Sequence, residues 1–364
     1  MVQIKTYTIA DLRQRLACGT WFEGNPIPVT RERVWSQVNN PRADDADVAL
    51  LVATENEMVI AHLGIVPDFV FAGGQKLKIG WLTAWWANPD RKYSGTGMML
   101  MMRAMGFYKA GVGASGFSND AKAVYSATKR FKTVQELRGM TAFARFDLAN
   151  LLPKRLPVLA KVRWLLAGAD ALANGLVLLR QCLWRRGNAL PADVKIEYVP
   201  ALDAEANAFL EQHAENQLSR RGSREVNWIA NHSWMTIAPL LPPPSFRFDT
   251  TARTHRNLLL KVRREQRLVA VLHLSMIDDH LILPTCCHDQ EAELTARIIG
   301  NHLVAMRLKR ITTFRRDLLE CFERSGFPWV ARKERVRPWI LSGPAGEIAR
   351  VGVQDGDGDC AFTV

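Results

Sequence analysis

Apolar and polar positions alternate over residues 2–9, the period of a strand with one buried face. Over 10–22 the period lengthens, and Leu12, Leu16 and Trp21 fall on neighbouring faces of a helix. A short helix follows at about 30–38, with Thr30 in the N-cap place and Arg33 where a capping box would carry Glu. Strand-like runs at 47–54 and 58–66 flank Glu55-Asn56-Glu57, which reads as a hairpin turn. Gly73-Gly74 turns the chain into another strand, 77–87. After the segment 88–97, the Met- and Leu-rich stretch from Met98 favours helix as far as about Gly111. A short strand at 112–117, then a further helix and strand, close this part of the chain.

From 151 to 186 the pattern changes. Leucines are interleaved with Lys154, Arg155, Lys161, Arg163, Arg180, Arg185 and Arg186, and Asp170 is the one acid. Charges interrupt the run too often for a bilayer span, so two basic amphipathic helices are expected. Their apolar faces suit burial between two domains or peripheral contact with an anionic membrane surface. Burial is the expectation, because it is the usual fate of a connecting helix. Beyond Pro191 the order of elements starts again: strand 194–199, helix 203–215 with Asp203 as N-cap, helix 223–232, and strands 258–262, 268–277 and 280–284. Helix 291–307, strand 310–314, helix 317–325 and terminal strands follow.

A chain of 364 residues is longer than one core usually organises, which supports a division into 1–150, a basic helical linker at 151–190, and 191–364. Its 48% hydrophobic content is that of a globular protein. The formal charge of +12 implies attraction to an anion such as CoA, a nucleotide-linked substrate, nucleic acid or membrane lipid. No charged, apolar leader opens the sequence and the six cysteines are scattered, so a reduced, cytoplasmic protein is expected.

Candidate chemistry concentrates at 88–98. Strand, glycine-bearing turn and helix follow one another there, so the N–H groups of the first helical turn lack partners and present partial positive charge. Without Cβ atoms, Gly95 and Gly97 let an anion reach the main chain. The nucleoside-triphosphate loop and the dinucleotide fingerprint both need other spacings. Lys92-x-x-Gly95-x-Gly97, a few residues beyond Pro89, resembles instead the Arg/Gln-x-x-Gly-x-Gly/Ala loop of the GNAT superfamily of acyl-CoA-dependent N-acyltransferases. Lys92 stands in place of Arg or Gln, keeping a cation without its bidentate geometry. The order of elements through 1–150 resembles the same family. Residues 191–364 resemble a second copy, with Pro284-Thr285-Cys286-Cys287-His288-Asp289 and no glycine pair where the loop would stand.

The resemblance implies an α/β fold with a mixed sheet, in two tandem GNAT-like domains joined by the basic helical linker. It implies acetyl-CoA or another acyl-CoA as co-substrate, no metal, and a cofactor site made by Trp86, Ala87, Lys92, Tyr93, Ser94, Gly95, Thr96, Gly97 and Met98. Asn119 would contact the pantetheine arm. Tyr125, in a region similar to the family's Asn-x-x-Ala-x-x-x-Tyr, is the implied general acid for the departing thiolate, given a near-ordinary phenol pKa. A backbone N–H near Trp86 or Ala87 is the implied oxyanion donor.

The strand 79–87 carries no carboxylate to act as base. His62 on the preceding strand titrates in the right range, and ordered water or a residue from the second half are the alternatives. Cys286-Cys287-His288-Asp289 lacks the ligand spacing of a zinc site and reads as buried thiols. Asp355-Gly356-Asp357-Gly358-Asp359 alternates like a calcium loop without its final Glu and reads as a solvent-facing turn. The implied function is acyl transfer, acetyl in the first instance, to a small-molecule amine such as an amino sugar on a nucleotide or lipid carrier, with no nucleic-acid partner. A Fem-type ligase using charged tRNA shares the tandem fold, and a non-catalytic GNAT-fold scaffold at a membrane fits the missing carboxylate.

Overall fold

The computed structural model describes the chain except for residues 20–25, 73, 94, 238–245, 249–250, 348–350 and 362–364. The first half runs β1 (Gln3–Thr8), α1 (Ile9–Ala17), α2 (Arg31–Val38), β2 (Val48–Glu55), β3 (Met58–Ala72), β4 (Gln75–Ala87), α3 (Thr96–Phe107), β5 (Val112–Ser115), α4 (Asn119–Thr128) and β6 (Phe131–Phe143). A linker of α5 (Leu148–Arg155), a 3-10 turn (Pro157–Val162) and α6 (Arg163–Gly187) leads to the second half. There β7 (Val194–Val199), α7 (Ala204–Gln212) and α8 (Ser223–Asn231) precede two short strands, β8 (Thr236–Ile237) and β9 (Thr251–Ala252). After them come β10 (His255–Arg264), β11 (Arg267–Ile277), β12 (His280–His288), α9 (Ala292–Ala305), β13 (Arg310–Thr313), α10 (Arg316–Arg324) and β14 (Ala331–Ser342). Apart from β8 and β9, the two halves repeat one order, so the chain is two tandem copies of a mixed α/β unit.

Local chemistry sets the element ends. Thr8 and Asp11 form a reciprocal capping box on α1, and Thr30 Oγ1 accepts from Arg33 N on α2. Trp21, expected on the first helix, lies outside the described residues. Asn56 and Glu57 both have positive φ, so a tight two-residue turn joins β2 to β3. The strand expected to end at 66 continues to Ala72. Pro67 stays in register opposite Gly80, and Asn40 Nδ2 donates to its carbonyl.

Among the described residues twelve strands make one sheet in the order β1-β2-β3-β4-β5-β14-β6-β13-β12-β11-β10-β7. The C-terminal strand β14 lies between β5 and β6 and is antiparallel to both, while the other edge of β6 pairs antiparallel with β13. Each half therefore lays its last strand against the other half's short parallel strand, and the chain's division into halves is not a division of the sheet. At this seam the Trp81 and Trp339 rings meet edge to face at 5.4 Å. Beside them, buried Asp68 is held by Arg42 at 2.7 Å from the first half and Arg221 at 3.1 Å from the second.

The linker departs from expectation. α6 turns Asp170, Asn174, Gln181 and Trp184 toward the protein and leaves Leu165, Leu172, Leu176, Leu179 and Leu183 exposed. The inward residues have a physical task, because the chain leaving β6 has backbone groups outside any ladder. Gln181 donates to Ala144 O, Asn174 bonds both backbone groups of Phe146, and Asp170 accepts from Leu148 N and Ala149 N.

Candidate active site

β4 and β5 stay paired only at Gly80↔Val112 and Trp81↔Gly113 and then diverge, opening a wedge at their C-terminal ends. On the other edge of β4 the register slips between His62↔Trp86 and Gly64↔Thr83, so Ala84 and Trp85 together face Leu63 in a bulge. Ala84 takes the left-handed conformation this requires, with φ +48. Asn88 N donates to Ile60 O at 2.8 Å. Antiparallel alternation then directs Trp86 N–H to β3 and Ala87 N–H into the wedge. Of the two backbone donors expected near this point, the register leaves Ala87 facing the cleft.

The turn after β4 folds as a 3-10 segment (Arg91–Tyr93) and then reverses at Gly95, which is left-handed at φ +87 and caps α3. No side chain caps that helix and no acid stands in its first turn. The N–H groups of Thr96, Gly97 and Met98 thus have no intrahelical acceptor. A Cβ at Gly95 would meet nothing within 4 Å, so among the described residues nothing crowds the start of α3 at this position. Gly97 serves another purpose: a Cβ there would lie 3.0 Å from Trp85 Nε1 and 3.4 Å from the Ala87 Cβ. Its missing side chain lets α3 pack against the bulge. Ser94 lies outside the described residues.

Flanking residues sort into two groups. Tyr93 is buried and donates to Glu55 Oε2 at 2.9 Å, and the Lys92 ammonium sits 3.9 Å from the same carboxylate and 4.5 Å from the Tyr93 ring. Both side chains are engaged by Glu55. Thr96 is buried, Met98 is exposed, and Asn119 is exposed on the first turn of α4, just beyond β5.

Tyr125 is packed among Trp85, Phe117 and Phe131. Burial, with a smaller contribution from the charge of Asp359, raises its phenol well above the ordinary range, which corrects the near-ordinary value expected from sequence. It keeps its proton throughout neutral pH. His62 is fully buried, and its Nδ1 lies 2.9 Å from Ala84 O, so it holds the carbonyl of the bulge. Burial lowers its pKa to about 4, with Arg33 and Arg247 adding to the shift and the Ala84 hydrogen bond opposing it. A base that weak corrects the expectation of a histidine titrating near neutrality.

Two charged groups at the wedge went unrecognised in the sequence. Arg33, placed from sequence at the box position of the short helix, is 4% exposed and lies over the Trp234 ring at 4.1 Å and the Phe246 ring at 5.1 Å. Burial lowers its pKa to about 9, partly offset by Asp359. Asp359 belongs to the tail expected to face solvent, yet Asp355, Asp357 and Asp359 are all buried. The tail runs beneath the seam, held by Arg221, which donates to Gly356 O and Gly358 O. It ends in a 3-10 turn (Gly358–Ala361) set in the wedge. Ser115 Oγ on β5 donates to Asp359 Oδ1 at 3.2 Å, and Thr83 on β4 bonds the same carboxylate. Burial raises the Asp359 pKa despite these hydrogen bonds and Arg33. A carboxylate of the C-terminal tail thus lies between β4 and β5, hydrogen-bonded to both strands.

The equivalent place in the second half is closed. Asp355 accepts from Thr313 Oγ1 at 2.7 Å and Phe314 N at 3.0 Å, as Asp359 accepts at the first wedge. Arg315 bonds Asp317, the Cys286 carbonyl and His288 across the space. The N-terminus of α9 carries Glu291 at its cap and Glu293 in its first turn, charges that repel an anion. Cys286 and Cys287 are buried thiols, pushed up to about 12 by desolvation. Among the described residues no group of His, Cys, Asp and Glu has the arrangement of a metal site.

No protein-family model and no curated protein matches the chain. Among solved structures, a conserved protein of unknown function from Enterococcus faecalis V583, described as a probable N-acyltransferase, superposes with a TM-score of 0.50 at 10% identity, covering 94% of this chain and 72% of its own. A GCN5-related N-acetyltransferase from Anabaena variabilis ATCC 29413 is also similar (TM-score 0.48, 10% identity, 94% and 72% covered). So is a tandem GNAT protein from the clavulanic acid biosynthesis pathway (TM-score 0.47, 11% identity, 95% and 99% covered). The chain shares its overall fold with the Enterococcus faecalis protein, and its tandem form is read from the repeated element order of its own two halves. At this identity the likeness concerns the fold alone.

Proposed function

We propose that the protein is an acyl-CoA-dependent N-acyltransferase acting on a small-molecule primary amine. The observation that carries this reading is the uncapped N-terminus of α3, opened by left-handed Gly95 beside a wedge that holds Tyr125 and Asp359. The first-turn amides fit a diphosphate, and no side chain or acid competes for them. Acyl-CoA, when bound, supplies the activated thioester.

The chain's own groups divide the remaining work. Asp359, with its pKa raised by burial, takes a proton from the acceptor ammonium or amine, directly or through water. Ala87 N–H donates toward the oxygen on which negative charge develops. Tyr125 donates a hydrogen bond to the departing sulfur and, with its pKa raised by burial, keeps its own proton, so the thiolate leaves hydrogen-bonded and is protonated from solvent. His62 maintains the bulge that aims Ala87, and Arg33 offers a buried cation to an anionic or carbonyl group of the acceptor.

Calorimetric titration with acetyl-CoA, followed by thiol release on a panel of amino sugars and other amines, tests the proposal. Micromolar CoA binding and amine-dependent thiol release are the expected results. Stabilisation by charged tRNA with no CoA binding would instead favour a Fem-type ligase, to which the +12 charge is also suited.

A further inference from the structure

α6 is built with its faces reversed. Leu165, Leu172, Leu176, Leu179 and Leu183 recur at helical spacing along one stripe and are 51%, 80%, 70%, 60% and 57% exposed. The stripe spans about 27 Å at 1.5 Å per residue. Trp164, at the N-terminal end of the helix, is also exposed. The opposite face carries the polar residues that bond the chain at 144–149, and Trp184 Nε1 donates to Ser325 O. Length and composition alone would allow α6 to span a bilayer, which corrects the expectation that its charges interrupt the run too often, but those bonds hold the helix lengthwise against the protein, so it lies flat.

Charge identifies the occupant. Lys154, Arg155, Lys161, Arg163, Arg180, Arg185 and Arg186 are all exposed along the segment, Arg180 and Arg186 beside the stripe by helical position, and none enters an ion pair among the described residues. The one acid of the segment, Asp170, is buried as a cap for α5. A second copy docked stripe to stripe would bring these cations together with no free acid of the segment to pair them. An anionic lipid surface answers both features, taking leucines and tryptophan into the acyl boundary and cations among the headgroups.

We propose that the protein binds the surface of anionic membranes through the exposed face of α6 and its flanking cations. This inference is independent of the acyltransferase reading. The full-length protein would be sedimented with vesicles of phosphatidylglycerol and phosphatidylcholine, and with vesicles of phosphatidylcholine alone, at low and high salt. Sedimentation with the anionic vesicles, weakened by salt and weaker on neutral ones, is expected. A Leu172→Glu/Leu176→Glu double variant should lose at least about tenfold in vesicle affinity with an unchanged thermal melt, since both positions are exposed. An Arg180→Gln/Arg185→Gln/Arg186→Gln variant should lose the preference for anionic vesicles. The proposal is overturned if wild type stays in the supernatant with every vesicle, or if the leucine variant binds as wild type does. It is also overturned if the wild type is a stable dimer in lipid-free solution that the leucine variant dissociates.

Discussion

Replacing Gly95 by Ala and by Glu separates backbone geometry from charge at the proposed diphosphate site. Both substitutions force an L-residue to φ +87, a cost of about 1–2 kcal/mol that falls equally on the two variants. Neither side chain meets an obstacle, because a Cβ at this position has no neighbour within 4 Å. The Glu carboxylate would stand in the open space before the uncapped amides of α3. A unit charge about 4 Å from a phosphate at an effective dielectric near 20 is repelled by about 4 kcal/mol, or about 10³-fold in affinity. Solvent screening reduces this, so a loss of at least about 100-fold relative to Gly95→Ala is expected in calorimetric titration with CoA. Gly95→Ala itself should bind CoA within about tenfold of wild type while melting at a lower temperature. If Gly95→Glu binds CoA within about threefold of Gly95→Ala, no diphosphate sits at this helix end and the acyltransferase proposal fails with it.

Asp359→Asn should reduce amine-dependent thiol release by about 10²- to 10⁴-fold, the usual contribution of a positioned base. Because burial raises the folded pKa of Asp359, its stabilising contribution is present below the ordinary carboxylate range and lost as pH rises through the raised value. The amide should therefore melt no lower than wild type at pH 7, and a large fall in Tm would assign the carboxylate a structural role instead. His62→Gln should leave any rise in rate between pH 6 and 8 where it is in wild type, since a group with a pKa of about 4 has already lost its proton there. A limb displaced by this substitution would return His62 to the role of base. Asp68→Asn should cost about 3–5 kcal/mol in urea denaturation by removing the carboxylate shared by buried Arg42 and Arg221, which leaves Arg42 with Glu225 and Arg221 with backbone carbonyls. Burial alone would raise the Asp68 pKa, but the two arginines hold it below the ordinary range. Its stabilisation is thus complete above that range and lost as pH falls through the lowered value, so the variant should lose less stability on acidification than wild type.

The elements were legible where local chemistry decides them. Thr30 and Asp203 cap their helices as their positions in the sequence suggest, and Glu55-Asn56-Glu57 marks the tight turn between β2 and β3. The Gly95 turn was legible for the same reason, since a left-handed residue at an uncapped helix start is a local event. What escaped is non-local. That β14 inserts between β5 and β6 depends on pairings some 200 residues apart in the chain, which no period of two reveals. Alternating acids at 355–359 carry the composition of a surface turn, and partners remote in sequence, among them Arg221, Ser115, Thr83 and Thr313, hold them inside. The α6 face was misjudged because amphipathicity shows that a helix has two faces without showing which one the protein keeps.

Strand exchange and the acidic tail are one construction. Once β14 has crossed into the first half's sheet, the residues after it emerge beneath the seam, within reach of both wedges. Asp355 takes the hydroxyl of Thr313 at the second wedge, and Asp359, four residues on, takes that of Ser115 at the first. The two placements are chemically alike, yet their surroundings are opposite. At the second wedge Arg315 fills the space and Glu291 and Glu293 make the start of α9 negative. At the first, Gly95 leaves the start of α3 open and Arg33 keeps a buried cation nearby. The second half anchors the tail through Arg221 and Thr313, and under the proposed acyl transfer that anchoring is what would hold Asp359 at the open wedge.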